Sequence, residues 1–121
     1  MIKEVNTKKE LKTFIHYIEK LYKNDPNMVY PIFFSLKKEL TSEVLEDRHY
    51  TALLAYKNQE VVGRIMYTID ESKKKGKDIC YFSFFDCIND LSVAKELFDY
   101  MEADMKKKGI NYLEGTFSPY D

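Results

Sequence analysis

The chain has 121 residues, one domain's worth, of which 45% are hydrophobic and 32% charged, so a globular core is expected. Its formal charge of −1 lacks the basic excess of a protein that grips a nucleic-acid backbone. No apolar run approaches the ~18 residues of a membrane span, and MIKEVNTKKE is too polar for a signal peptide, so the expectation is a cytoplasmic protein that binds neither nucleic acid nor membrane.

Residues 2–6, IKEVN, read as a short strand. Thr7 and Glu10 then form a capping box, and apolar residues at Leu11, Phe14, Ile15, Ile18, Leu21 and Tyr22 predict a helix over 8–23. His16 lies beside that stripe and reads as a packed or solvated histidine. Asn24-Asp25-Pro26-Asn27 ends the helix. Pro31 suits the first position of a second helix, less regular, with Ile32, Phe33, Leu36, Leu40 and Val44 as its apolar positions. Residues 46–49 are a polar break.

YTALLAYKNQEVVGRIMYTID has the pattern of a β-hairpin around Lys57-Asn58-Gln59-Glu60. A charged turn, DESKKKGKD, leads from Asp70 to Asp78, and ICYFSFFD returns as a third antiparallel strand over 79–86. After Asp90, the stripe Ala94, Leu97, Phe98, Met101 and Met105 predicts a helix over 91–107. Lys106 to Lys108 complement its negative end, and Gly109 supplies a left-handed stop. INYLEGTF, 110–117, is a last strand, so strand, helix and strand make a βαβ unit with parallel strands. The fold class is α/β, a mixed sheet in which an antiparallel meander leads into a parallel pair, with two helices near the N-terminus.

Cys87 falls one residue past the expected end of the third strand, and if the strand extends to it, Cys80 and Cys87 share one strand. Seven steps separate them by roughly 23 Å and point them to opposite faces, which excludes a bridge between them and leaves reduced, buried thiols. No His/Cys pair has ligand spacing, so no metal site is expected.

The segments EVVGRIMY and FFDCINDLSVAKELFDYMEADMKKKGINYLEGT, in this element order, resemble the GNAT superfamily of N-acetyltransferases, in particular a divergent bacterial branch. The resemblance implies a single domain over 1–121 that covers the first two thirds of the fold and is incomplete at its C-terminus. It implies acetyl-CoA as cofactor and acetyl transfer to an unknown small-molecule or peptide amine. The rival expectations are a degenerate member that binds or interacts without catalysis, and a fragment with no independent activity. The family's acetyl-CoA motif, Gln/Arg-x-x-Gly-x-Gly/Ala, falls on Asn89-Asp90-Leu91-Ser92-Val93-Ala94. Ala94 fits its last position, Ser92 stands where glycine is usual, and Asn89 where Gln or Arg is usual.

Through the resemblance, Asn89, Leu91, Ser92, Val93 and Ala94 become candidates for holding the pyrophosphate on a helix N-terminus. The backbone from Phe82 to Phe84 becomes the candidate partner of the pantetheine arm. Asp86 is the candidate base, though a strand-end aspartate reads more plainly as a solvated turn residue, and Glu114 is a weaker second candidate. Asp90 is a good N-cap whose carboxylate occupies an N–H the phosphate would use and repels an anion. Tyr120 is not the tyrosine acid that the family often supplies from a later helix. Tyr22, Met28, Tyr30 and Phe33 are candidates for the acceptor side. The edge of strand 110–117 invites pairing, so self-association or membership of a longer chain is expected.

Overall fold

The computed structural model describes residues 1–70, 76 and 78–115. Its elements are β1 (Ile2–Glu4), α1 (Lys8–Leu21), α2 (Phe33–Leu40), a π-helical continuation (Thr41–Glu46), β2 (Thr51–Lys57), β3 (Glu60–Asp70), β4 (Ile79–Cys87), α3 (Leu91–Lys107) and β5 (Tyr112–Glu114). One five-stranded sheet runs in the order β1-β2-β3-β4-β5. The first three pairings are antiparallel and β4–β5 is parallel. The α/β mixed sheet expected from the sequence is thus the architecture found.

Local chemistry explains most boundaries. Thr7 and Glu10 form the reciprocal capping box that starts α1. α1 ends at Leu21, two residues before the expected end, and its final N–H bond runs from Tyr22 to Ile18. Pro31 does not open α2; Ile32 is its N-cap. The register is set instead by Leu36 and Leu40, which turn inward with Phe33 toward α1. At the β2–β3 turn Asn58 (φ 52°) and Gln59 (φ 68°) both occupy the left-handed region, as the favoured two-residue hairpin turn requires. Gly109 (φ 77°) stops α3, and the Ile110 N–H returns to the Met105 carbonyl at 2.8 Å. β5 is shorter than the strand expected over 110–117, whose last two residues lie outside the described residues, as does Tyr120. Most of the charged turn between Asp70 and Asp78 also lies outside them.

Helices cover both faces of the sheet. On one face, Val93, Leu97, Met101 and Met105 of α3 pack onto Leu53, Ile65 and Tyr67. On the other, Leu11, Phe14 and Ile15 of α1 with Leu40 and Val44 pack onto Leu54 and Met66. Among the described residues no helix is long and apolar enough to cross a membrane.

The cysteines correct one expectation. Arg64 pairs with Asp86 but Met66 pairs with Ser83, so β4 carries one extra residue opposite Ile65. This is a β-bulge, and Phe84 within it adopts φ 51°. The extra residue inverts the alternation, so Cys80 and Cys87 face the same α3 side instead of opposite sides. Both remain free thiols.

Candidate functional site

The site is built where β4, still paired with β3, runs past its described ladder with β5. The β4–β5 ladder runs over Ile79↔Tyr112, Cys80↔Leu113 and Tyr81↔Glu114, and among the described residues it ends there, while β4 continues to Cys87. The bulge falls in this continuing part. Phe82 stays on the α3 side, edge-on to Phe98 with ring centroids 5.1 Å apart. Gly115 passes so close to it that a Cβ there would stand 2.3 Å from the Phe82 ring. Phe84 is on the opposite face, against Phe14 at 6.2 Å. The two residues expected to flank one backbone stretch therefore send their rings to opposite sides of the sheet.

Asp86 follows the bulge on the α1 side and is not a solvated turn residue. Its Oδ2 accepts from Arg64 Nε at 3.0 Å and from Arg64 Nη2 at 2.8 Å. Arg64 is only 3% exposed. Its Nη1 donates to the Phe14 carbonyl at 2.7 Å, and its guanidinium lies between the rings of Phe14 and Phe84, 5.2 and 5.4 Å from their centroids. Burial pulls the guanidinium below its usual value, and the Asp86 carboxylate pushes the other way.

Two phenols complete this cluster. Tyr22 faces Asp86; burial first, then that carboxylate, push its phenol up. The Tyr17 hydroxyl is buried without a hydrogen-bond partner among the described residues. Burial, then Cys87 and Asp86, push it up to about 12. Both phenols are therefore hydrogen-bond donors at neutral pH. The Tyr30 hydroxyl donates to the Tyr22 carbonyl at 3.4 Å, and the Tyr30 ring lies 6.1 Å from Phe33. The structure thus links Phe33 to Tyr30 and Tyr30 to Tyr22, and of these the Tyr22 phenol is the one that faces Asp86. Met28 is half-buried in the same linker.

The second part is the β4–α3 corner. Asp90 is the N-cap: its Oδ1 accepts from the Ser92 N–H at 2.9 Å and from the Ser92 hydroxyl at 2.6 Å. Val93 and Ala94 donate their N–H groups to the Asp90 carbonyl, at 3.1 and 3.3 Å. In the first turn that leaves the Leu91 N–H without an acceptor among the described residues. The Leu91 side chain is 86% exposed and Val93 is buried in the core, while Asn89 and Ser92 are exposed. Asp90 Oδ2 meets Lys57 Nζ at 3.3 Å, across from the hairpin end. The bonds from Ser92, and then Lys57, hold the Asp90 carboxyl below the usual carboxylate range. Glu114 lies on β5 opposite Tyr81, away from Asp86 along β4.

Arg64, Tyr17 and Lys57 are not among the residues expected from the sequence. One signal for Arg64 was present: a lone cation inside VVGRIMY must meet an acid if it faces inward. Nothing local marks Tyr17 or Lys57, because their roles depend on where α1 and the hairpin end are placed.

The chain has the GNAT-like N-acetyltransferase fold: its mixed sheet and flanking helices superpose on acetyltransferases of that class. A possible acetyltransferase from Clostridium difficile superposes with a TM-score of 0.73 at 18% identity, over 100% of this chain and 81% of that one. An aminoglycoside acetyltransferase from an uncultured soil metagenomic sample, in complex with sisomicin, gives 0.70 at 15% identity, over 100% and 79%. A predicted acetyltransferase from Clostridium acetobutylicum, with acetyl-CoA, gives 0.69 at 13% identity, over 99% and 83%. In sequence, Protein YghO of Escherichia coli (strain K12) is 33% identical over 122 residues. The match takes in 98% of this chain and 31% of that protein, so the chain spans under a third of the relative's length. No protein-family model matches the chain.

Proposed function

We propose that this chain carries the acyl-CoA-binding part of an N-acyltransferase, with Asp86 as the group that takes a proton from the attacking amine. One observation carries the reading. Beyond its ladder with β5 among the described residues, β4 is bulged and brings a carboxylate, Asp86, up to Tyr22. The acetyl-CoA in the Clostridium acetobutylicum structure and the sisomicin in the soil-sample enzyme belong to proteins of this fold, and they support an acyl donor and an amine acceptor here. The acceptor side would be formed by Tyr22, Met28, Tyr30 and Phe33.

The residues at the corner fit a CoA pyrophosphate in part. Leu91 offers a free N–H at a helix N-terminus, the Ser92 hydroxyl is a second donor, and Lys57 adds a positive charge beside them. Asp90 opposes the fit, because its carboxylate takes the Ser92 N–H and is itself an anion. Lys57 reduces that repulsion. When bound, the cofactor supplies an activated thioester; this chain's own residues would hold its phosphates at Leu91 and Ser92, line its arm with the backbone from Phe82 to Phe84, and accept a proton at Asp86. A binding module without catalysis is the second reading, favoured by the occupied Ser92 N–H.

Acetyl-CoA titrated against thermal unfolding tests the first reading. At ~100 times its dissociation constant a ligand adds about 2.7 kcal/mol of stability, so a rising melting temperature that saturates is expected. No change at millimolar acetyl-CoA would remove the cofactor from this chain. Asp90→Asn keeps a good N-cap while deleting the charge. Its acetyl-CoA affinity is expected to rise on the order of two- to fivefold, the scale of one charge at a helix end. Lys57→Met is expected to weaken binding, and calorimetry measures both. Weaker binding by Asp90→Asn with its fold intact would show that the carboxylate does not oppose the ligand.

A further inference from the structure

At the other end of α3 from the candidate cofactor corner lies a cavity that the candidate site does not use. Its volume is about 210 Å³, and it opens beside the first residue of β2, the later part of β3 and the residue that caps the end of α3. α3 has 17 residues and is therefore ~25 Å long, which sets the cavity well apart from Leu91 and Ser92. Three basic side chains line it, Arg48, His49 and Lys108. The hydroxyl-bearing Thr51, Tyr67 and Thr68 complete its polar wall, and among the described residues no acid lines it. A wall of nitrogen donors without a carboxylate suits a small oxyanion.

Bonds from behind the wall fix these bases. The Thr68 hydroxyl donates to the His49 carbonyl at 2.6 Å, which ties the segment carrying Arg48 and His49 to β3. Asp104 Oδ2 accepts from the Tyr67 hydroxyl at 2.6 Å and from Lys108 Nζ at 3.4 Å. Tyr67 is only 2% exposed, so this anchor belongs to the core. His49 Nδ1 meets Glu43 Oε2 at 2.8 Å, and Asp47, next to Arg48 in the chain, accepts from the Ser42 hydroxyl at 3.0 Å. Donors are left over, because an ammonium has three and a guanidinium five. Arg48 uses one on the neutral Asn6 Oδ1, at 3.3 Å, and has no carboxylate partner among the described residues. Arg48 also holds a left-handed backbone, φ 54°, which is uncommon for a residue with a side chain and concentrates where a fold fixes a functional group. The carbonyl end of α3 is partly negative, and Lys106 and Lys107 in its last turn offset it. Asp104 and Glu43 hold two of the bases in place and lower the positive field, so weak, millimolar binding is expected.

We propose that this cavity is a phosphate site, in which Arg48, His49 and Lys108 hold the anionic head of inorganic phosphate or of a small phosphate monoester. Arg48 offers the paired N–H groups that match two phosphate oxygens, and Lys108 and His49 meet the others. The site does not depend on acyl-CoA binding at the corner.

Inorganic phosphate titrated into the 121-residue chain, with chloride holding the ionic strength constant, tests the proposal by amide chemical shifts and by thermal unfolding. Saturable shifts are expected at residues 48–51, 67–69 and 108, with a melting temperature that rises as the site fills. Arg48→Gln combined with Lys108→Gln is expected to weaken binding on the order of tenfold or more. Both side chains are exposed, so the melt without phosphate is expected to be unchanged. Lys37→Gln with Lys38→Gln, exposed lysines of α2, is expected to bind phosphate as the unaltered chain does. Glycerol phosphate separates the two sources: tighter binding than inorganic phosphate assigns the site to an ester, and equal or weaker binding assigns it to the free ion. Shifts centred on Leu91 and Ser92 that survive the Arg48 and Lys108 substitutions would overturn the proposal and place the anion at the corner. Changes that do not saturate, or that chloride alone reproduces, would overturn it as well, because they report only the screening of exposed charge.

Discussion

Asp86→Ala is expected to lower the stability of the fold by about 3–5 kcal/mol, the cost of stripping one partner from a buried ion pair. In a domain of this size that is a fall of about 10–20 °C in melting temperature. Arg64 sits in the middle of β3 with almost no exposure, and two of its nitrogens, Nε and Nη2, donate to the one oxygen Asp86 Oδ2. Guanidinium stays charged at neutral pH, so deleting the carboxylate leaves a cation in an apolar setting, with the Phe14 and Ile15 carbonyls and two aromatic faces as its remaining partners. Asp86→Asn keeps an acceptor at the same place and is expected to cost less. Arg64→Met combined with Asp86→Leu is expected to recover most of the loss, because exchanging both members for apolar groups removes the uncompensated charge. A melt of the three variants beside the unaltered protein by circular dichroism decides the matter. A loss below about 1 kcal/mol for Asp86→Ala, the range of a surface pair, would mean that Arg64 finds water instead.

The pair also separates two roles that activity measurements alone would confuse. A variant can abolish acyl transfer by removing a proton acceptor or by loosening β3, β4 and α1, and under the proposed function Asp86 would serve in both ways. Asp86→Asn distinguishes them. It is expected to fold and to retain the proposed acetyl-CoA binding, which rests on the corner from Asn89 to Ala94 and not on the Asp86 carboxylate, while losing the group proposed to accept a proton. Loss of cofactor binding in that folded variant would tie Asp86 to the corner's geometry instead.

The sequence made the element order, the sheet class and the helix caps readable, because each rests on short-range chemistry. Thr7 and Glu10 lie within one turn, the stripe from Ala94 to Met105 follows a helical period, and Gly109 stops α3 by its own backbone freedom. The bulge in β4 was not readable. YFSFFDC has no glycine or proline to mark it, and its position follows from which residues of β3 pair with it. Once Arg64 is matched with Asp86 and Met66 with Ser83, one residue must be surplus. That surplus residue decides that both cysteines face α3 and that Phe84 joins Phe14. Candidate site residues divide the same way. Asp86 and Asp90 were identifiable by place, at a strand end and at a cap. Their partners Arg64 and Lys57 are 22 and 33 residues away in the chain, beyond any local pattern.

Gly63 connects this packing to the corner, and its substitution should be felt in both. A Cβ built there would stand 2.9 Å from Cys87 Cβ, 3.0 Å from Leu97 Cδ1 and 3.1 Å from Val93 Cγ1. Leu97 and Val93 belong to α3, and Cys87 is the cross-strand partner of Gly63. The absent side chain therefore lets the first turns of α3 lie directly on β3. Gly63→Ala is expected to cost about 1–3 kcal/mol through overpacking. The Cys87 Cβ is fixed to backbone, so β3 and β4 must part slightly or α3 must lift. Leu97→Ala, at a fully buried position, is expected to cost about 2–5 kcal/mol by leaving a cavity. In the double variant the new methyl occupies part of that cavity, so the two losses are expected to fall short of additivity by about 0.5–3 kcal/mol. Urea unfolding of the four proteins measures the coupling. Strict additivity would mean that the Gly63 methyl is resisted by Cys87 alone, with α3 free to move. A measured coupling would show that the height of α3 above the sheet, and with it the placement of Asp90 and Ser92, is set by the missing side chain at Gly63.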